Sequence, residues 1–151
     1  TTLTRYHRAA MITGMGGGEL SPEMVDILEH GLAVQFDYLD NFMNVIRATG
    51  DWQNAWNSRA AHYGAAIKTN FWEGEVVRLA GRPLPLPAMP SQGVLCGPNC
   101  KCFWDIKTID EESVSYDAFW RRGASDSCLT CVERERQWSP VRIRDGVLLE
   151  D

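Results

Sequence analysis

All five cysteines of this 151-residue chain fall after residue 95, and they are grouped. Cys96-Gly-Pro-Asn-Cys100-Lys-Cys102 comes first, and Cys128-Leu-Thr-Cys131 follows after 25 intervening residues. Two tight turns that each present thiolates, joined by enough chain to fold back, satisfy the spacing of a closed tetrahedral metal site. A framework of two disulfides is the alternative, but five is an odd number and would leave one thiol over, whereas a metal site uses four and tolerates a spare. The expectation is a structural Zn²⁺ held by four of Cys96, Cys100, Cys102, Cys128 and Cys131. Cys128 and Cys131 supply one half. In an extended segment residues 100 and 102 point to the same side, which favours that pair with Cys96 as the spare or exchanging ligand. Alternatively, Cys96 and Cys100 flank the Gly-Pro-Asn turn and Cys102 packs inside. A small module of this kind cannot bury enough apolar area alone, so the metal supplies much of its folding energy. Chelation is then expected to melt residues 96–140 and leave the preceding helices standing.

Those helices are legible upstream. Residues 1–15 read as a short helix with Leu3, Tyr6, Ala10 and Ile12 on its buried side, broken by the glycine-rich stretch Thr13-Gly14-Met15-Gly16-Gly17-Gly18. Ser21-Pro22-Glu23 is a helix start: a capping hydroxyl, a proline at the first helical position, an acid in the first turn. From there Met24, Leu28, Leu32, Phe36 or Gln35, Leu39, Met43 and Ile46 form an apolar stripe. Gly50 ends it and Asp51 is placed to cap the next helix, whose face carries Trp52, Trp56, Ala60, Tyr63, Ile67, Phe71 and Gly74. So short a joint predicts a long antiparallel helical hairpin, with Gly64, Gly74 and nearby alanines allowing close approach. His7, His30 and His62 read as polar surface or edge residues rather than ligands.

Pro83, Pro85, Pro87 and Pro90 forbid helix or central strand and predict an extended strap. Beyond it, Phe103–Ile109 and Val114–Arg121 read as strands around a turn at Asp110–Ser113. Residues 131–138 read as a short helix halted at Ser139-Pro140, and 141–144 as a strand or extended tail. The fold class is therefore α+β: a helical hairpin region (1–81), a proline-rich strap (82–95) and a small zinc-ribbon-like β-hairpin module carrying the cysteines (96–151).

The net charge of −5 argues against wholesale nucleic-acid binding. The acidity is spread evenly: 7 basic and 9 acidic groups up to residue 95, 8 and 11 after it. A local patch of Arg121, Arg122, Arg134, Arg136, Arg142 and Arg144 with Trp104, Trp120 and Trp138 makes a zinc-ribbon nucleic-acid module the main alternative function. The intervening Glu133, Glu135, Asp126 and Asp145 dilute it. Cys128-x-x-Cys131 also permits a thiol redox protein, though the βαβ context of such motifs is missing. No His follows His62 to serve a nucleophilic cysteine, and no nucleotide, kinase, hydrolase or metalloprotease motif is present, so the chain does not read as an enzyme. There is no apolar run of membrane-spanning length. The first residue is Thr rather than Met, as expected of a chain whose natural start lies upstream.

Taken together, Ser58-Arg59-Ala60-Ala61-His62-Tyr63-Gly64, Phe71-Trp72, the proline strap, Cys96-Gly-Pro-Asn-Cys100-Lys-Cys102-Phe-Trp104, Ala118-Phe-Trp120-Arg-Arg-Gly123, Cys128-Leu-Thr-Cys131 and Trp138-Ser-Pro140 resemble a known pattern. It is that of the C-terminal region of minor head (head-morphogenesis) proteins of tailed phages and prophages, over roughly residues 20–144. The resemblance implies a non-catalytic structural role in the virion, with assembly in the host cytoplasm. It also implies contacts with portal or capsid proteins or with further copies of the same chain.

Overall fold

A computed structural model describes residues 2–50, 52–123 and 127–149. The expected cap at Asp51, the side chains of Trp52, Trp56 and Ala60, and Asp126 of the arginine patch lie outside the described residues. Among the described residues four α-helices and four antiparallel strands follow in the order α1 (Thr2–Met15), α2 (Pro22–Thr49), α3 (Trp52–Ala80), β1 (Phe103–Asp110), β2 (Ser115–Arg121), α4 (Leu129–Gln137), β3 (Val141–Arg144) and β4 (Val147–Leu149). The mixed α+β class expected from the sequence is what is found.

The punctuation works as its chemistry demands. Ser21 Oγ accepts from the Met24 N–H at 3.2 Å, Pro22 occupies the first turn, and Gly50, at φ 68°, closes α2 by donating to the Ile46 carbonyl. Helix packing departs from the sequence reading. The helix lying closest on α3 is α1, not α2. Gly14 and Gly74 make this possible: a Cβ on Gly14 would sit 1.9 Å from the Phe71 carbonyl oxygen, and one on Gly74 would sit 2.0 Å from that of Met11. Gly74 therefore serves the α1–α3 crossing, while Gly64 faces the ring of Pro98. The buried face of α1 is His7, Met11 and Gly14, and Tyr6 is exposed. The expected face was rotated because apolar spacing alone does not register a glycine contact. Met11 joins Met24, Leu28 and Leu32 of α2 in a helical core, with Val77 of α3 against it.

A second, larger core begins at the end of α3. Val76 and Ala80 pack with Leu84 and Met89 of the strap, three cysteines, and Trp104, Tyr116, Trp120 and Ile143 of the sheet. The strap is thus no free spacer. Its Leu84, Met89 and Pro90 are buried, and its Ala88 carbonyl accepts from the Trp104 indole N–H at 2.9 Å. Tyr116 donates to the Ala80 carbonyl at 3.1 Å, fastening the sheet to α3. The sheet is a four-stranded array in the order β1-β2-β3-β4, wider than the expected hairpin. β1 and β2 pair from Phe103↔Arg121 to Asp110↔Ser115. α4 is inserted before β3, which returns to pair Tyr116↔Ile143, and β4 adds Ile143↔Leu148. The segment 141–144 is strand rather than tail because its partner β2 lies ready beside it. β4, only three residues long, carries no comparable sequence signal.

Glu73 on α3 has a measurable consequence. Burial raises its carboxyl to about 7 from an ordinary value of 4.5. The folded state thus prefers the protonated acid. It pays no penalty below the unfolded value, and the cost of ionising a buried group grows between about 4.5 and 7. Glu73→Gln should stabilise the protein by up to about 3 kcal/mol at pH 8 and by little at pH 5. Paired urea titrations at the two pH values check this, and an equal effect at both would contradict it.

Candidate metal centre

The two cysteine turns are brought together by opposite ends of the module. Residues Gly97–Asn99 form a single 3₁₀ turn, with Gly97 at φ 54°, closed by Asn99 N–H to Cys96 O and Cys100 N–H to Gly97 O. This turn sets Cys96 and Cys100 on either side of one loop. It is braced by Lys68 of α3, whose Nζ donates to the Pro98 carbonyl at 2.7 Å. On the other side Cys128 occupies the N-cap of α4 in an extended conformation and Cys131 lies in its first turn, fully buried. Gly123, just after β2, lies so near Lys101 that a Cβ there would fall 2.1 Å from the Lys101 oxygen. The chain leaving β2 is therefore held against the chain leaving the first turn.

The sulfurs converge. Cys128 Sγ lies 3.4 Å from that of Cys96 and 3.5 Å from that of Cys131, while Cys131 Sγ lies 3.8 Å from both Cys96 and Cys100. Cys96, Cys100 and Cys131 have all their sulfurs within 4.8 Å of one another. Four sulfurs around an ion at ~2.3 Å would stand about 3.8 Å apart on each tetrahedral edge, close to these separations. Cys102 is buried beside the group, next to Cys100 and Cys131 and the Trp120 indole. All five are free thiols. The cluster can thus bind a metal ion, and the fit comes from the donor set itself: soft sulfur ligands at tetrahedral spacing.

Electrostatics point the same way. Burial and the neighbouring Cys128 thiol push Cys96 up to about 12. Burial and the thiols of Cys102 and Cys128 also raise Cys131. At Cys128 burial acts upward but is outweighed by backbone N–H groups of Cys131 and Cys96 on its sulfur, which lower it to about 6. Cys100 is likewise lowered: burial opposes, but the backbone N–H groups of Cys102 and Ser91 prevail. Crowded thiols cannot all ionise beside one another without a cation, and amide donors aimed at two of the sulfurs are the outer support that metal thiolates use. Ser91 was not legible as part of this site. It reaches Cys100 through the strap's tertiary path, which no local spacing announces.

The aromatic residues next to the cluster form a closed cage. Trp104 and Trp120 meet edge to face at 5.2 Å, and Trp138 lies 6.1 Å from Trp104 and 5.6 Å from Trp120. Arg134 caps Trp138 at 4.9 Å and Trp120 at 5.2 Å, and donates to the Gln92 carbonyl at 2.7 Å. Arg121 pairs with Asp105, Arg122 with Glu135 and Arg144 with Asp117. The patch expected from the sequence is therefore largely committed within the protein, and Trp104 and Trp120 are too deeply buried to stack on a base. His30 and His62 are exposed as expected, but His7 is buried, its ring Nδ1 bonded to the Asn70 amide. None of the three joins the cysteines in a metal-binding group among the described residues. No helix among the described residues is long and apolar enough to cross a membrane. Comparison with protein-family models, curated proteins and solved structures finds no match.

Proposed function

We propose that the C-terminal module is a structural zinc site and that the protein is a non-enzymatic assembly component of a phage-type particle, binding other virion proteins or further copies of itself. The observation that carries the metal reading is the set of sulfur separations at tetrahedral spacing, 3.4 to 3.8 Å, three of them between cysteines 31 to 35 residues apart in the chain. These separations favour Cys96, Cys100, Cys128 and Cys131 as the four ligands. Cys96 touches the sulfurs of both Cys128 and Cys131. Cys102, preferred to Cys96 on strand alternation alone, then becomes the spare thiol, packed against the Trp120 indole. Zn²⁺ so held supplies a rigid cross-link with no open coordination position.

Support for a docking role comes from what the knuckles present. Leu95, immediately before the first ligand, is 77% exposed, and Leu129, immediately after Cys128, is 63% exposed. Leucines this exposed on a cross-linked scaffold suit a preformed protein contact, since little ordering entropy remains to be lost. The resemblance to phage minor head proteins gives the partner class, a portal or capsid subunit. Native mass spectrometry of the purified chain tests both parts together. One Zn²⁺ per chain and a stable complex with a phage portal protein are expected. A metal-free folded chain would remove the first part, and failure to bind portal, capsid or itself would remove the second.

Thiol redox chemistry is the second reading, favoured by the place of Cys128 at the start of α4 with its sulfur receiving amide N–H groups. Thiol titration separates the two. Four thiols protected until chelator is added support the metal, and one fast-reacting thiol in the untreated protein supports redox chemistry.

A further inference from the structure

We infer that the free edge of β1 pairs antiparallel with β1 of a second copy of this chain, joining the two sheets into one continuous sheet. β1 and β4 are the two edges of the sheet. β4 is 3 residues long, whereas β1 runs for 8 and contains neither proline nor glycine. Along one side β1 bonds to β2, from Phe103↔Arg121 onward. Among the described residues no other main chain bonds to it, so its second side presents a row of unpaired N–H and C=O groups. Its one irregularity, a bulge between Thr108 and Asp110, lies at its far end and leaves residues 103–108 regular. Natural edges are ordinarily shortened, interrupted by proline or covered. A long edge that is none of these is a template for an added strand.

The side chains select the occupant. Alternation puts Phe103, Asp105 and Lys107 on the outer face of the sheet, while Trp104 and Ile106 face the core. Two copies of one strand paired antiparallel are related by a two-fold axis through the middle of the ladder. An axis at Ile106 sets Asp105 of each copy directly opposite Lys107 of the other, so complementary charges meet on both sides of it. It also brings the exposed Phe103 toward the exposed Ile109 of the other copy. Moving the axis to Asp105 or to Lys107 puts like charges face to face, and an axis nearer either end shortens the ladder. The strand is thus complementary to itself in one register. Both charges are available for it. Asp105 meets Arg121 at 3.3 Å in a solvent-exposed pair, and a carboxylate has further acceptor sites. Lys107 Nζ lies 5.1 Å from the Phe119 ring centroid and has no carboxylate partner among the described residues. A lysine on an edge normally repels chance pairing, and a strand with an acid at the matching position removes that obstacle. The pairing gives the self-association proposed above a definite surface and rests on that part of the reading, not on the metal or the portal.

The test is sedimentation equilibrium of the full zinc-loaded chain at micromolar to millimolar concentration. A ladder of about seven residues buries less than a standard interface, so a weak, concentration-dependent dimer is expected. Lys107→Glu and Asp105→Lys should each weaken it by about tenfold or more, since opposite charges across the two strands become like ones. Mixed one to one, the two variants should dimerise again, because the acids of one chain then face the lysines of the other. Zinc content and the near-UV dichroism of the tryptophan cage should match the wild type in both, which separates a lost contact from a lost fold. Amide exchange over residues 103–109 should slow as the wild-type concentration rises. A zinc-bound wild type that stays monomeric at millimolar concentration would overturn the edge pairing and leave the metal and portal readings standing. A dimer that both variants retain, or a mixture that associates no better than either variant alone, would overturn it too. Protection of the β1 amides only on addition of portal protein would overturn it by assigning the edge to a different strand.

Discussion

Cys131→Ser is expected to abolish metal binding and collapse the sheet. The Cys131 sulfur is fully buried and lies within 3.8 Å of those of Cys96, Cys100 and Cys128, so no other cysteine has as many sulfur neighbours at these distances. Structural zinc sites contribute on the order of 10–16 kcal/mol of apparent binding energy, and a domain of this size is stable by only about 5–15 kcal/mol. The whole of that loss matches or exceeds the margin, and half of it, about 5–8 kcal/mol, still removes a large part. The collapse will not stop at the boundaries a modular reading would set. Trp104, Trp120, Leu84 and Met89 share one core with Val76 and Ala80 of α3, so the strap and the end of α3 should loosen with the module. The near-UV signal of the Trp104–Trp120–Trp138 cage reports this directly, and chelator on the wild type should reproduce it. Cys102→Ser is the control: it should retain one metal per chain and lose about 1–2 kcal/mol of packing. If Cys102→Ser loses the metal and Cys96→Ser keeps it, the ligand set is Cys100, Cys102, Cys128 and Cys131 instead.

Where the sequence could be read, a local rule was in command. The helix start at Ser21-Pro22-Glu23, the stop at Gly50 and the strands on either side of Asp110–Ser113 follow from capping, backbone freedom and alternation, each decided within a few residues. The cysteine grouping was legible for a similar reason, since ligand spacing is a property of the chain. What was not legible depended on which surfaces meet. Nothing near Gly14 marks it as the partner of Gly74: it reads as part of a glycine-rich break, and only the contact of the two backbones shows that it serves a helix crossing. His7 reads as a polar surface or edge residue because it lies far in sequence from the cysteines; only Asn70, 63 residues away, reveals its burial. The closeness of the Cys96 sulfur to that of Cys128, 3.4 Å, likewise depends on the 3₁₀ turn at Gly97–Asn99, which strand alternation does not announce.

Gly74→Ala is expected to detach α1. The added methyl would lie 2.0 Å from the Met11 carbonyl oxygen and 2.9 Å from the Met15 amide nitrogen. Both are backbone atoms of a helix, so no side-chain rotation relieves the clash, and α1 must move away as a body. Movement of an ångström or more opens the seam along which Gly14 meets the Phe71 carbonyl, and with it the contacts of Met11 to Met24 and Leu28. Alanine's better helix propensity returns at most about 1 kcal/mol to α3, against overpacking that costs about 3 kcal/mol or more where backbone is the obstacle. The crossing therefore loses. Limited proteolysis should cut the variant between residues 15 and 22 far faster than the wild type, while near-UV dichroism of the tryptophan cage and the metal content stay unchanged, because the second core makes no use of Met11. Gly64→Ala provides the contrast: its methyl would rest 3.5 Å from the Pro98 ring, an ordinary contact distance, and should be tolerated. Equal proteolysis of Gly74→Ala and the wild type would mean that α1 can shift without cost and that the glycine crossing does not hold it.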